Sequence, residues 1–221
     1  MKKIFAILSL FISIFLPLLL VLGGIRLALT PAFIHLQYNL PGFPADPFGF
    51  SKTERLQWAD DSLDYLLGKM SHADFSALQT TDGQPLYNQR ELEHMLDVRL
   101  LTLAALKVWR ALMFGIILVC ILMWVTGYQQ QLWQALRCGA RFTLLLIALI
   151  IFGILLNFDA LFTAFHHIFF EGDSWLFRMD DTLIRLFPIF FWQVVFVFVG
   201  SISGIIAIIL LYVSQKQLRK N

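Results

Sequence analysis

Four long apolar runs dominate the chain, separated by stretches where polar residues gather. Ile4 to Leu27, about Val108 to Thr126, Phe142 to Leu161 and Leu186 to Tyr212 each supply the roughly 20 mainly apolar residues that a helix needs to cross hydrocarbon. Lipid offers no partner for a free backbone amide, so such runs are read as helices. The expected fold class is an all-α membrane protein with four transmembrane helices, a single integral membrane domain over residues 1–221. The polar remainder divides into an extracytoplasmic segment 30–107 holding short helices, a cytoplasmic loop 127–141, and a second outer segment 162–185.

Within the long outer segment the pattern changes period. Pro31, Pro41, Pro44 and Pro47 predict a stretch without regular helix, lying along the membrane surface. Ser51 with Glu54 reads as a capping box, and Leu56, Ala59, Leu63, Leu66 and Leu67 form an apolar stripe ending at Gly68. After a turn at Asp82-Gly83, Asn88 with Glu91 repeats the cap signature and opens a helix that runs into the second span. Gly200 and Gly204 form a small-residue pair suited to close helix packing.

Charge gives the spans a direction. Lys2, Lys3, Arg137, Arg141, Lys216, Arg219 and Lys220 fall on one side, which the positive-inside rule makes cytoplasmic, with both termini inside. All 15 acidic residues fall on the other side or at the end of the third span. Trp109, Trp124, Trp133 and Trp192 sit near span ends, where an indole is stable at headgroup level. The N-terminal run resembles a signal sequence but lacks an A-x-A-like site, so it is expected to be a retained helix. With 58% hydrophobic residues, 14% charged ones and a mean hydropathy of +0.72, the chain is no ordinary cytosolic enzyme. No basic run suits nucleic acid and no P-loop suits a nucleotide. No disulfide is expected between Cys120 and Cys138.

All five histidines, His35, His72, His94, His166 and His167, map to the acidic side. In the helix opened by Asn88, Glu91, His94 and Asp97 recur every third residue and share one face, where a carboxylate one turn away can orient an imidazole for general-base work. From the spacing alone, a solvated helix face is the more common meaning of such a pattern. His166 and His167 emerge from the third span among aromatics, close to Asp173, Ser174 and Trp175. Ionisable groups at that depth need a partner or a wetted cavity. Asn157, Asp159, Arg26, Lys107 and Arg110 add polar groups at similar height. No G-x-S-x-G elbow or H-E-x-x-H helix is present, and the spacing specifies no metal and no cofactor.

The strings Glu91-Leu-Glu-His94-Met95-Leu-Asp97-Val98 and Phe165-His166-x-Ile-Phe169-Phe170, followed by Trp175, resemble the lipoprotein intramolecular transacylases, four-span bacterial membrane proteins. The resemblance implies an acyltransferase that moves the sn-2 acyl chain of a diacylglyceryl-cysteine lipoprotein onto the α-amino group of the same cysteine. Its partners are then diacylglyceryl-modified lipoproteins and membrane lipid, at the outer face of a bacterial inner membrane. The essential histidines carry over to His94 and His166, with Glu91, Asp97, Trp175 and Asp173 in support. A histidine can take the proton of the attacking amine, and donor and acceptor already share one molecule, so no covalent nucleophile is expected. A non-enzymatic lipid- or partner-binding protein and a metal-dependent lipid hydrolase are the alternatives.

Overall fold

The structure, a computed structural model, describes residues 2–220; Met1, Asn221 and the side chain of Lys2, one of the cations used above for sidedness, lie outside the described residues. Among the described residues the elements in chain order are α1 (Lys2–Ala28), α2 (Pro31–Tyr38), α3 (Lys52–Leu66), α4 (His72–Ser76), α5 (Gln89–Val125), α6 (Gln129–Phe169), α7 (Thr182–Leu186) and α8 (Ile189–Leu218). No strand is present among them, only an isolated bridge between Gln79 and Pro85. Helices α1, α5, α6 and α8 are long and apolar enough to cross a membrane.

Two expectations change. The stretch 127–141 is helical from Gln129 onward, because Gln129 to Arg141 carries no proline and its one glycine, Gly139, is an interhelical contact rather than a break. Pro31, expected to prevent regular structure, instead opens α2: it occupies a first-turn position, where its missing N–H is not needed, and the Thr30 hydroxyl accepts from Phe33 N–H. The irregular stretch is confined to residues 39–50.

The chain divides into two compact units. The first takes in the chain up to Arg26, Leu106–Leu156 and the chain from Val197. Lipid is as apolar as leucine, so helices there gain by close van der Waals approach rather than by leaving water. The contacts follow that rule: a Cβ added at Gly139 would meet Leu16 Cβ at 2.9 Å, one at Gly24 would meet Val199, and Gly200 and Gly204 both border Ile147. The small-residue pair in α8 therefore packs as its spacing predicts.

The second unit, Leu27–Ala105 with Asn157–Phe196, is built around aromatic cores. Trp58, Tyr65, Phe75, Leu86, Tyr87, Met95, Leu183 and Leu186 form one, and Ile34, Tyr38, Ala59, Leu63 and Phe191 another. The predicted capping box is present at the start of α3, with Ser51 and Glu54 bonded reciprocally. Gly68, at φ +77°, follows the end of α3 in the left-handed conformation that glycine adopts without strain. Asn88 and Glu91 form a second reciprocal cap, and α5 then runs unbroken to Val125. The short helix α7 is tied down from several directions: Leu183 N–H donates to Glu91 at 2.7 Å, the Leu186 carbonyl accepts from Tyr38 Oη at 2.7 Å, and Arg185 makes a two-point ion pair with Asp46.

Candidate active site

His94 and His166 belong to different helices of the second unit and meet at one aromatic cluster. Phe170 lies against both, with ring centroids 5.0 Å from His94 and 5.7 Å from His166. Phe177 closes on His94 edge-first at 5.2 Å, and Trp175 lies tilted over His166 at 4.6 Å. Both histidines, Phe170 and Trp175 are buried.

Local structure decides what each ring can do. His166 Nδ1 lies 2.8 Å from the Phe162 carbonyl, one helical turn back. A carbonyl only accepts, so Nδ1 carries the proton and, in the neutral ring, Nε2 holds the free lone pair. The backbone thus favours the tautomer in which Nε2 is free to accept a proton. His94 is the opposite case: its Nδ1 is buried with no hydrogen-bond partner among the described residues. A buried nitrogen without a partner loses the hydrogen bonds that water would give it, so His94 Nδ1 keeps unused hydrogen-bonding capacity at this cluster.

The expected supporting residues divide. Trp175 is held in place by its indole N–H on the Gly172 carbonyl at 3.1 Å, and it packs on His166 as described. Glu91 is buried, but it does not orient His94. Its carboxylate accepts from the N–H groups of Asn88 and Leu183, so it caps its own helix and joins α5 to α7. Asp97 is exposed and makes no hydrogen bond or ion pair among the described residues. The Asp173 side chain is exposed too, and only its backbone carbonyl contributes, accepting from Arg90. Arg90 also faces the Phe177 ring at 5.9 Å.

The other histidines are accounted for separately. His35 pairs with Asp60 at 2.7 Å and His72 with the Tyr65 hydroxyl at 2.9 Å, while exposed His167 meets the edge of Trp175 at 5.5 Å. Ser174 donates to the Glu171 carbonyl, the role of a turn residue. Among the described residues no three His, Cys, Asp or Glu side chains gather as a metal-ligand set.

Sequence reasoning missed Phe162 and Phe177. The first was detectable, because a residue four positions before a histidine in a helix presents its carbonyl to that side chain. The second was not, because its contact depends on how the 170–181 loop folds.

Three comparisons bear on identity. The family model described as "Lipoprotein intramolecular transacylase Lit" matches residues 10–192. A protein of Aquifex aeolicus (strain VF5), described as uncharacterized, is 30% identical over 209 residues, covering 93% of this chain and 92% of its own. The in meso structure of the membrane integral lipoprotein intramolecular transacylase Lit from Bacillus cereus superposes with a TM-score of 0.76 at 18% identity, covering 100% of both chains. A variant of that protein with one histidine replaced by alanine superposes at 0.70, with 15% identity, over 99% of this chain and 96% of its own. With four apolar helices long enough to cross a bilayer and most of its length matched by the family model, the chain is a multi-pass membrane protein and belongs to the lipoprotein intramolecular transacylase Lit family.

Proposed function

We propose that this chain transfers the sn-2 acyl chain of a diacylglyceryl-cysteine lipoprotein to the α-amino group of the same cysteine, leaving the N-acyl-S-monoacylglyceryl form. The observation that carries the reading is the convergence of His94 and His166 on Phe170, with one imidazole favouring the tautomer that leaves Nε2 free and the other holding a buried, unpartnered nitrogen.

The cysteine α-amine, with an ordinary pKa of about 8, is partly neutral at physiological pH. Its nitrogen attacks the sn-2 ester carbonyl and forms the new C–N bond. His166 Nε2 takes the proton that the nitrogen sheds. The tetrahedral oxyanion accepts a hydrogen bond from His94, whose Nδ1 carries a proton in one neutral tautomer. Collapse breaks the ester C–O bond, and the proton held on His166 passes to the departing sn-2 oxygen, leaving a glyceryl hydroxyl. The imidazole returns to its starting state, so atoms and protons balance without a protein acyl intermediate. Holding amine and ester together in one bound molecule supplies much of the rate.

The charge distribution along the chain supports cytoplasmic termini and a site at the outer leaflet of the bacterial cytoplasmic membrane. Diacylglyceryl-modified lipoproteins would reach it from the surrounding lipid. Mass spectrometry of N-terminal lipopeptides from cells expressing the chain tests the proposal. The expected product has the same total acyl content and mass as the substrate, with one chain moved from the glyceryl group to the amide, so fragment ions carrying an N-acyl cysteine identify it. Unchanged diacylglyceryl-cysteine in the presence of well-expressed, membrane-inserted protein overturns it.

A further inference from the structure

Helix α6 is not one helix. Asn157 has φ −166° and ψ 102°, an extended residue inside an otherwise helical run of 41 residues. Breaks of this kind usually occur at proline or glycine; Gly153 lies one turn earlier, but the residue that leaves helical geometry is Asn157 itself, within Leu155-Leu156-Asn157-Phe158-Asp159-Ala160. The side chain at 157 is the one that supplies a reason. Its Oδ1 accepts the Ala160 N–H at 3.0 Å, the bond an N-cap residue makes to the third residue of a new helix. Asp159 falls in that helix's first turn, where a carboxylate suits the positive end of the dipole.

The surroundings make the cap consequential. Leu155 and Leu156 are 79% and 69% exposed, and this part of the chain lies in the third apolar run. Lipid cannot satisfy the amides freed by a break, so a broken helix there requires a substitute acceptor from the protein. A second observation falls at the same place: the division between the two compact units runs between Leu156 and Asn157. The restarted helix, 158–169, then packs by its aromatic face. Phe158 and Phe165 meet Phe196 at 5.6 and 6.1 Å, and Phe162 meets Trp192 at 6.0 Å. His166 rides on this helix nine residues after the break.

We infer that Asn157 is a positioning residue: by ending one helix and capping the next, it sets the rotation and height of the segment that carries His166. An extended residue advances the chain about 3.3 Å, a helical one about 1.5 Å with a turn of about 100°. Restoring a helical residue at 157 therefore moves everything beyond it by on the order of 2 Å and rotates it. A misplacement of about 1 Å suffices to cost a reaction on the order of 100-fold. The consequence for catalysis rests on the proposed role of His166; the placement itself does not.

Two measurements separate these claims. In a chain with Cys120→Ser, Cys138→Ser, Phe165→Cys and Phe196→Cys, a short bifunctional thiol reagent reports whether the 158–169 helix keeps its rotation. Cross-linking is expected with Asn157 and with the capping replacement Asn157→Ser, and is expected to be lost with Asn157→Ala and Asn157→Leu. Efficient cross-linking in both apolar variants, or its loss in the Ser variant as well, overturns the inference. In chains without the introduced cysteines, Asn157→Ala is expected to lower turnover on the order of 100-fold while Asn157→Ser recovers most of it. Loss of the cross-link in the apolar variants with turnover unchanged upholds the placement and removes His166 from the chemistry, so the two proposals fail separately.

Discussion

In the unit that contains most of the membrane-crossing stretches, the buried polar residues are Ser13, Thr143, Ser203 and Ser214, and each hydroxyl donates to a backbone carbonyl of its own or a neighbouring helix, leaving only the hydroxyl of half-buried Ser9 without a partner among the described residues. In the other unit the buried set includes Gln37, Arg55, Glu91, His94 and His166, and several of their polar atoms lack a partner among the described residues. The first group needs nothing from outside: a hydroxyl returned to a carbonyl is silent in lipid. The second leaves hydrogen-bonding capacity unused within the protein, which is expensive in stability. One unit satisfies nearly all of its buried polar atoms internally, and the other leaves several of them open.

That contrast breaks most sharply at the histidines. His166→Ala and His94→Ala are each expected to lower formation of the lyso product by about 1,000-fold, the scale of positioned acid-base catalysis. Ser214→Ala, in the other unit, is expected to change it less than about twofold, because the hydroxyl removed bonds only to the Leu210 carbonyl of its own helix. Lipopeptide mass spectrometry on matched amounts of inserted protein reads all three. Activity retained in either histidine variant removes that residue from the mechanism.

The ion pair that anchors α7 tests the polar unit's own stability. Asp46 and Arg185 are bonded at 2.8 and 3.1 Å, with the Asp46 side chain fully buried. Asp46→Asn leaves Arg185 uncompensated and is expected to destabilise by about 3 kcal/mol. Burial raises the Asp46 pKa, but the Arg185 guanidinium and the Phe50 N–H outweigh it and hold the carboxyl below its ordinary value. The folded state therefore binds this proton less readily than the unfolded one. The contribution is complete above the ordinary carboxylate pKa and is lost as pH falls through the lowered folded value. Thermal melts in detergent at stepped pH should show that acid loss in the parent and a smaller one in Asp46→Asn.

Packing is the test of the apolar unit. Gly139→Ala places a methyl 2.9 Å from Leu16 Cβ and is expected to destabilise by about 2 kcal/mol, with turnover per folded molecule unchanged. A stability loss accompanied by lower turnover in the surviving folded fraction contradicts the division of labour. The smallest effect expected is at the α3 cap, where Ser51→Ala removes one half of a reciprocal bond for about 1 kcal/mol. Its measurement is a shift in melting temperature at constant activity.

Much of this architecture was written in local pattern. Apolar run length marks the four membrane-crossing helices, and the Ser51/Glu54 and Asn88/Glu91 pairs mark where α3 and α5 begin. Those signals are readable because each depends on residues within one or two turns. Pro31 was misread for the same reason: proline excludes a helix interior but suits a first turn, and which applies depends on the Thr30 cap beside it. The Asn157 break carries no proline, and its neighbours are the leucines and phenylalanine of an ordinary span.

The sequence by itself determined the membrane class, the sorting of charge along the chain, and the grouping of all five histidines with the acidic residues, since apolar length, charge and residue chemistry are properties of short segments. Only the tertiary structure decided that Glu91 serves α7 rather than His94, that Asp97 and the Asp173 side chain stand apart, and that His94 and His166 share Phe170. Hydrogen bonds and ring contacts at 3 to 6 Å are set by how distant helices meet, and spacing along one helix carries no record of that.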